Sequence, residues 1–96
     1  MNRKEFIEHL DAKNIQHRIK GETLIIEGGN VYLRSLKSLP ENTRFNNWGY
    51  VHLDSLTELP ENISFNNGGY VFLHSLTELP ETVKQNSTAC KYYLKQ

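Results

Sequence analysis

Four histidines, one cysteine and a periodic set of carboxylates are the residues of this 96-residue chain that chemistry would draw on. His9, His17, His52 and His74 stand at separations that match no metal-ligand spacing, and none lies beside an evident nucleophile. Cys90 and His74 would supply the two halves of a thiol dyad, but a lone cysteine in a closing strand is more simply a small packed apolar group. Glu41, Glu61 and Glu81 recur in step, with Glu58 and Glu78 close by, yet no Asp/Asn-rich loop of the kind calcium needs accompanies them. They read as solvated turn acids, favourable at the start of a helical turn. Asn46, Asn66 and Asn86 recur in the same step, as do Ser35, Ser55 and Ser75. Asparagine and serine at fixed corners hydrogen-bond turn backbone or their own copies in the neighbouring repeat. No glycine loop is built to cradle phosphate, since Gly28-Gly29 and Gly68-Gly69 fall at repeat junctions. The expectation is a non-enzymatic protein with no catalytic residue, no metal site and no cofactor.

The recurrence itself is the stronger signal. From Gly29 to Thr88 three units of 20 residues align without a gap, GNVYLRSLKSLPENTRFNNW (29–48), GYVHLDSLTELPENISFNNG (49–68) and GYVFLHSLTELPETVKQNST (69–88). A short fixed period means one supersecondary unit stacked on its copies, each burying an apolar face against the next. In each unit Val31/Leu33, Val51/Leu53 and Val71/Leu73 alternate with polar or aromatic residues, as a strand with one buried face requires. Leucine pairs follow at a spacing of three (36/39, 56/59, 76/79), and then Pro40, Pro60 and Pro80 force a turn at one point of every rung. Thr43, Ile63 and Val83, with Phe45 and Phe65, are expected to complete the interior, and Gln85 in place of a third phenylalanine marks a rung that is ending. Gly49 and Gly69 are placed at the tight corner before each strand.

Around this stack the expected elements are a helix over 3–13, with Phe6, Ile7 and Leu10 on one face and Asn14 as its stop, and a hairpin whose arms 15–20 and 23–27 flank Lys20-Gly21-Glu22. In the 20-residue frame Ile25 aligns with Phe45 and Phe65, so 23–28 forms a partial rung. The closing segment 89–94 falls where a fourth strand would, but Lys91 stands at the valine position. Either its register slips by one, turning Cys90, Tyr92 and Leu94 inward, or it pairs with a second copy as a homodimer edge. The fold class is thus α+β, mostly β: one domain over 1–96, with a helix and hairpin cap (1–28), a β-solenoid of three rungs (29–88) and a closing strand (89–96).

Composition narrows the partners. Eleven basic residues balance eleven acidic ones, which argues against a sequence-independent nucleic-acid binder and against a highly acidic DNA mimic. A single cysteine suits a reducing compartment, and neither a signal-peptide core nor an apolar run of membrane-spanning length is present, so the expected location is cytoplasmic with no membrane partner.

The V-x-L strand, the L-x-x-L-P-E turn and the period resemble bacterial leucine-rich repeats of the short, Leu-Pro-containing type. More closely they resemble small repeat proteins of bacteria and phages, built from glycine-start, L-P-E rungs behind an N-terminal helix and hairpin. The general pattern expects an asparagine where Leu36, Leu56 and Leu76 stand, so its asparagine ladder is absent there and a straighter β-solenoid competes with a horseshoe. The resemblance implies protein binding, and extends to an accessory protein that inhibits a bacterial defence nuclease complex, of anti-CRISPR type. A self-assembling structural module is the alternative, with a small enzyme behind it.

The residues expected to bind are those facing away from the core valines and leucines. They form three columns: Asn30/Tyr50/Tyr70, Tyr32/His52/Phe72 and Arg34/Asp54/His74. Aromatics and arginine are the types enriched at binding hot spots, and this face varies between rungs while the core does not. The competing reading is that the rings stack across strands and only stiffen the sheet.

Overall fold

The structure, a computed structural model, describes residues 1–60, 62–89 and 91–95. It begins with helix α1, Arg3–Ala12, capped at its start by Asn2, whose side-chain oxygen accepts from Glu5 N–H at 2.8 Å. The helix ends in a Schellman turn: Ile15 N–H donates to Leu10 C=O, Asn14 N–H donates to Asp11 C=O, and Asn14 holds a φ of 55°. The buried face of α1 is Phe6 and Leu10. Strands β1, His17–Lys20, and β2, Thr23–Ile26, make the expected antiparallel hairpin, reversing at Gly21 with a φ of 61°.

The repeats then contribute parallel strands alternately to two sheets. The V-x-L segments become β3 (Val31–Tyr32), β5 (Val51–His52) and β7 (Val71–Leu73), while the segments after the prolines become β4 (Thr43–Phe45) and β6 (Ile63–Phe65). One sheet runs β1-β2-β4-β6. The other runs β3-β5-β7-β8, where β8 is Tyr92–Leu94. Val31, Val51 and Val71 pair in line, as do Thr43 with Ile63 and Phe45 with Phe65, so the sequence period is the structural period. This is a β-solenoid of about three turns. No helix among the described residues is long and apolar enough to cross a membrane.

The interior is a single column of aliphatic and phenylalanine side chains. Val51, Leu53, Leu56 and Phe65 of the middle rung are fully buried between their equivalents in neighbouring rungs, and Phe45 stacks on Phe65 at 5.1 Å. Each rung turns at the same point, where the backbone N–H of Leu36, Leu56 and Leu76 donates to the carbonyl of Leu33, Leu53 and Leu73.

Several expectations are corrected. Ile26, not Ile25, pairs with Phe45: the partial rung is one residue shorter than the others, which places Leu24 and Ile26 inward and sets Ile25 beside Arg44 on the opposite side of the strand. Leu59 is only half-buried, whereas Leu39 and Leu79 are buried. The third rung has no strand after its proline. Helix α2, Glu81–Gln85, takes that place, buries Val83 and leaves Gln85 in water, as the loss of the phenylalanine required.

The corner ladder is also displaced by one residue. Asn47 and Asn67, rather than Asn46 and Asn66, are buried, and each donates from Nδ2 to backbone carbonyls of two successive rungs. Asn47 reaches Gly29 C=O at 2.8 Å and Gly49 C=O at 3.2 Å, and Asn67 reaches Gly49 C=O at 3.0 Å and Gly69 C=O at 2.9 Å. Asn86 instead ends α2. Among the serines, Ser75 donates to the Asp54 carbonyl of the rung before it, as expected for a corner residue. Gly49 and Gly69 are needed for close approach: a Cβ on Gly49 would stand 2.2 Å from Asn30 Oδ1, and one on Gly69 2.2 Å from the Tyr50 ring.

In strand β8 the register slips by one residue. Tyr92 pairs with Val71 and Leu94 with Leu73, 21 residues on, and both pack against the core. Cys90 and Glu61, to which an inward position and a place in the acidic ladder were assigned, lie outside the described residues. Glu41, Glu58, Glu78 and Glu81 are all solvated, and Glu81 sits in the first turn of α2.

Candidate binding face

The outward side chains of β3, β5 and β7 emerge from a sheet whose strands are only two or three residues long, beside the corner asparagines and the close-packed glycines. Parallel strands stack at about 4.8 Å, which is close to the separation at which aromatic rings stack. Residues alike in position therefore meet face to face. Tyr32 lies on His52 at 4.8 Å, and His52 on Phe72 at 4.6 Å with only 10° between the planes. The next column holds Tyr50 on Tyr70 at 5.4 Å and 6°. An edge contact between Tyr50 and Phe72 at 6.0 Å ties the two columns together.

The third column is polar. Arg34 Nε lies 3.6 Å from Asp54 Oδ2, and His74 Nδ1 lies 3.5 Å from Asp54 Oδ1, an electrostatic contact rather than a hydrogen bond. Arg34 also meets His52 Nδ1 at 3.4 Å and lies over the Tyr32 ring at 5.2 Å. Partial burial, reinforced by the positive charge of Arg34 and opposed by Asp54, lowers the pKa of His52 below its ordinary 6.5. The imidazole therefore stays neutral within the ring stack near neutral pH.

All eight residues chosen from the sequence (Tyr32, Arg34, Tyr50, His52, Asp54, Tyr70, Phe72 and His74) share this one surface. Tyr32, Tyr50 and Tyr70 are 46%, 43% and 38% exposed, whereas His52, Asp54 and Phe72 are partly covered by their neighbours. Asn30, at the head of the Tyr50/Tyr70 column, accepts from Tyr50 N–H through Oδ1 and so acts as a brace.

One further residue belongs here. Tyr93 continues the central column beyond Phe72, stacked at 5.0 Å and 8°, and touches Tyr70 edge-on. The one-residue slip of β8 is what turns it outward, and only that slip could have marked it in the sequence. Trp48, 78% exposed, lies apart from the ring columns, over Gly29. Its signal was present, since the equivalent positions hold Gly68 and Thr88. Among the described residues no group of three or more His, Cys, Asp or Glu side chains is arranged to hold a metal ion.

Comparison with known proteins returns no matching family model, no similar curated protein and no similar solved structure at a significant level. The functional reading of this face rests on its own residues.

Proposed function

We propose that this chain is a non-enzymatic protein-binding module that engages its partner through the strand face of Tyr32, Tyr50, Tyr70 and Phe72, rimmed by Arg34, Asp54 and His74. The observation that carries the reading is the pairwise stacking of exposed rings: Tyr50 and Tyr70 keep 43% and 38% of their surface in water while holding each other at 5.4 Å. Binding costs entropy when side chains must be immobilised, about 0.5–1.5 kcal/mol for each flexible one. Rings already fixed by their neighbours have lost that freedom beforehand. Exposed aromatics beside a column that includes an arginine are of the residue types enriched at binding hot spots. The resemblance to small phage-borne repeat proteins supports extending the proposal to a target among bacterial defence nuclease complexes, which the chain would inhibit by occupying a protein surface.

The test is capture of partners from bacterial lysate on the immobilised chain, followed by affinity measurement with variants. Tyr50→Ala and Arg34→Ala are expected to weaken binding by about 1–3 kcal/mol each, while Glu78→Ala, on another edge, leaves it unchanged. A captured partner that binds the Tyr50 and Arg34 variants as tightly as wild type would remove the strand face from consideration.

A further inference from the structure

The two sheets of the solenoid begin at different levels. The β4/β6 sheet is continued past the first full rung by β2 and then β1, but the other sheet starts at β3 with nothing before it. At the 20-residue spacing the preceding strand would be residues 11–13, and the chain uses Asp11, Ala12 and Lys13 instead for the last turn and cap of α1. One edge of β3 is consequently bare. Val31 N–H donates to Tyr50 C=O at 2.8 Å and Leu33 N–H to His52 C=O at 2.9 Å, so residues 31 and 33 bond toward β5. The alternation of a parallel ladder turns the N–H and C=O of Tyr32 the other way, without a partner among the described residues.

On that side Tyr32 lines a cavity of about 610 Å³, together with the segment that follows α1. Lys13, Ile15 and Gln16 from that segment line it together with Gly29, Tyr32 and Trp48. The tryptophan is not demanded by the rung. The equivalent positions in the other rungs hold Gly68 and Thr88. Trp48 sits over Gly29, where an added Cβ would stand 3.1 Å from its ring, and exposes 78% of its surface at the mouth of the cavity.

We propose that this groove accepts an extended segment of a partner polypeptide as an added strand parallel to β3. The chemistry selects the occupant. A backbone donor and acceptor on a strand edge match another strand, and the one acid in the wall, Glu27, is already paired with Arg18 at 2.8 Å, leaving no charge cluster to hold an anion or a cation. The added strand places one side chain in register with Tyr32. An aromatic residue there extends the Tyr32–His52–Phe72–Tyr93 column by one ring, and Trp48 covers the segment. This site goes beyond the strand face and shares only Tyr32 with it, so the two proposals fail separately.

The experiment selects peptides of about ten residues from a random display library on the wild-type chain. Selected peptides are expected to carry an aromatic residue, to lose affinity by about tenfold or more on Trp48→Ala, and to keep it within about twofold on Tyr50→Ala. Trp48→Phe, which keeps an aromatic wall, recovers most of the binding. The decisive reading is hydrogen exchange at the Tyr32 amide, fast in the free chain and slowed by about tenfold or more in the complex, a change that contact with side chains alone would not produce. Failure to enrich any peptide, or peptides that leave the Tyr32 amide exchanging at its free rate, would overturn the proposal. So would a concentration-dependent dimer in sedimentation that Trp48→Ala dissolves, which would assign the groove to a second copy of this chain.

Discussion

Phe72 separates a ring column that carries stability from one that is only displayed. Its ring is stacked on both sides, against His52 at 4.6 Å and Tyr93 at 5.0 Å, and meets Tyr50 and His74 edge-on. Each such aromatic pair contributes about 0.5–1.5 kcal/mol beyond the area it buries. The two stacked contacts therefore give about 1–3 kcal/mol, and the covered part of a half-buried ring adds about 1 kcal/mol more. Phe72→Ala is expected to cost about 2–4 kcal/mol in total, lowering Tm by about 10–20 °C in a domain of this size. Sequence alone suggests a melting temperature nearly unchanged, because Phe72 sits on the outward side of its strand. Phe72→Leu keeps apolar volume but no ring, so the difference between the two variants isolates the stacking. Urea unfolding followed by circular dichroism measures both, and a Phe72/Tyr93 double-mutant cycle with leucine at each site should return a coupling of about 0.5–1.5 kcal/mol. A Phe72→Ala chain that melts within about 2 °C of wild type would refute the reasoning, since the column would then contribute nothing to the fold.

The core and the histidine in the stack give two further expectations. Leu53 is fully buried between Leu33 and Leu73, which cannot collapse into the space it leaves, so Leu53→Ala should cost about 2–5 kcal/mol, whereas the half-buried Leu59 should cost less than about 2 kcal/mol. Equal losses in urea titrations would mean that the inward assignment of the rung is wrong. Because the pKa of His52 is lowered on folding, the unfolded chain binds more protons once pH falls below the ordinary value of 6.5, and stability must decline on acidification through that point. Tm measured from about pH 8 to pH 5 should therefore drop less in His52→Gln than in wild type; parallel curves would show that His52 titrates alike in both states.

Much of the architecture was legible because a repeat states its own register. A residue that recurs every 20 positions beside Val-x-Leu and Leu-Pro-Glu must meet its own copy, so the buried column of Val51, Leu53 and Leu56 and the three outward columns follow from spacing and strand alternation. Legibility stopped where the period breaks. The partial rung pairs Ile26 rather than Ile25 with Phe45, and β8 pairs Tyr92 with Val71, each one residue away from the repeat frame. A strand can slip by one residue at no local cost. What selects the register is which side chains find room in the interior, a property of the assembled stack.

The same division runs through the candidate sites. Residue types and spacing determined that Tyr32, Tyr50, Tyr70 and Phe72 would share a face, because alternate residues of a strand point the same way. Tertiary structure alone decided that Asn47 and Asn67, and not their neighbours Asn46 and Asn66, carry the buried ladder, since adjacent asparagines are indistinguishable until backbone carbonyls from the next rung arrive on one side of the corner. Only the fold, likewise, could leave the β3 edge bare beneath Trp48: a strand edge is open or closed according to what packs beside it, and here the chain spent the residues that would have closed it on the end of a helix.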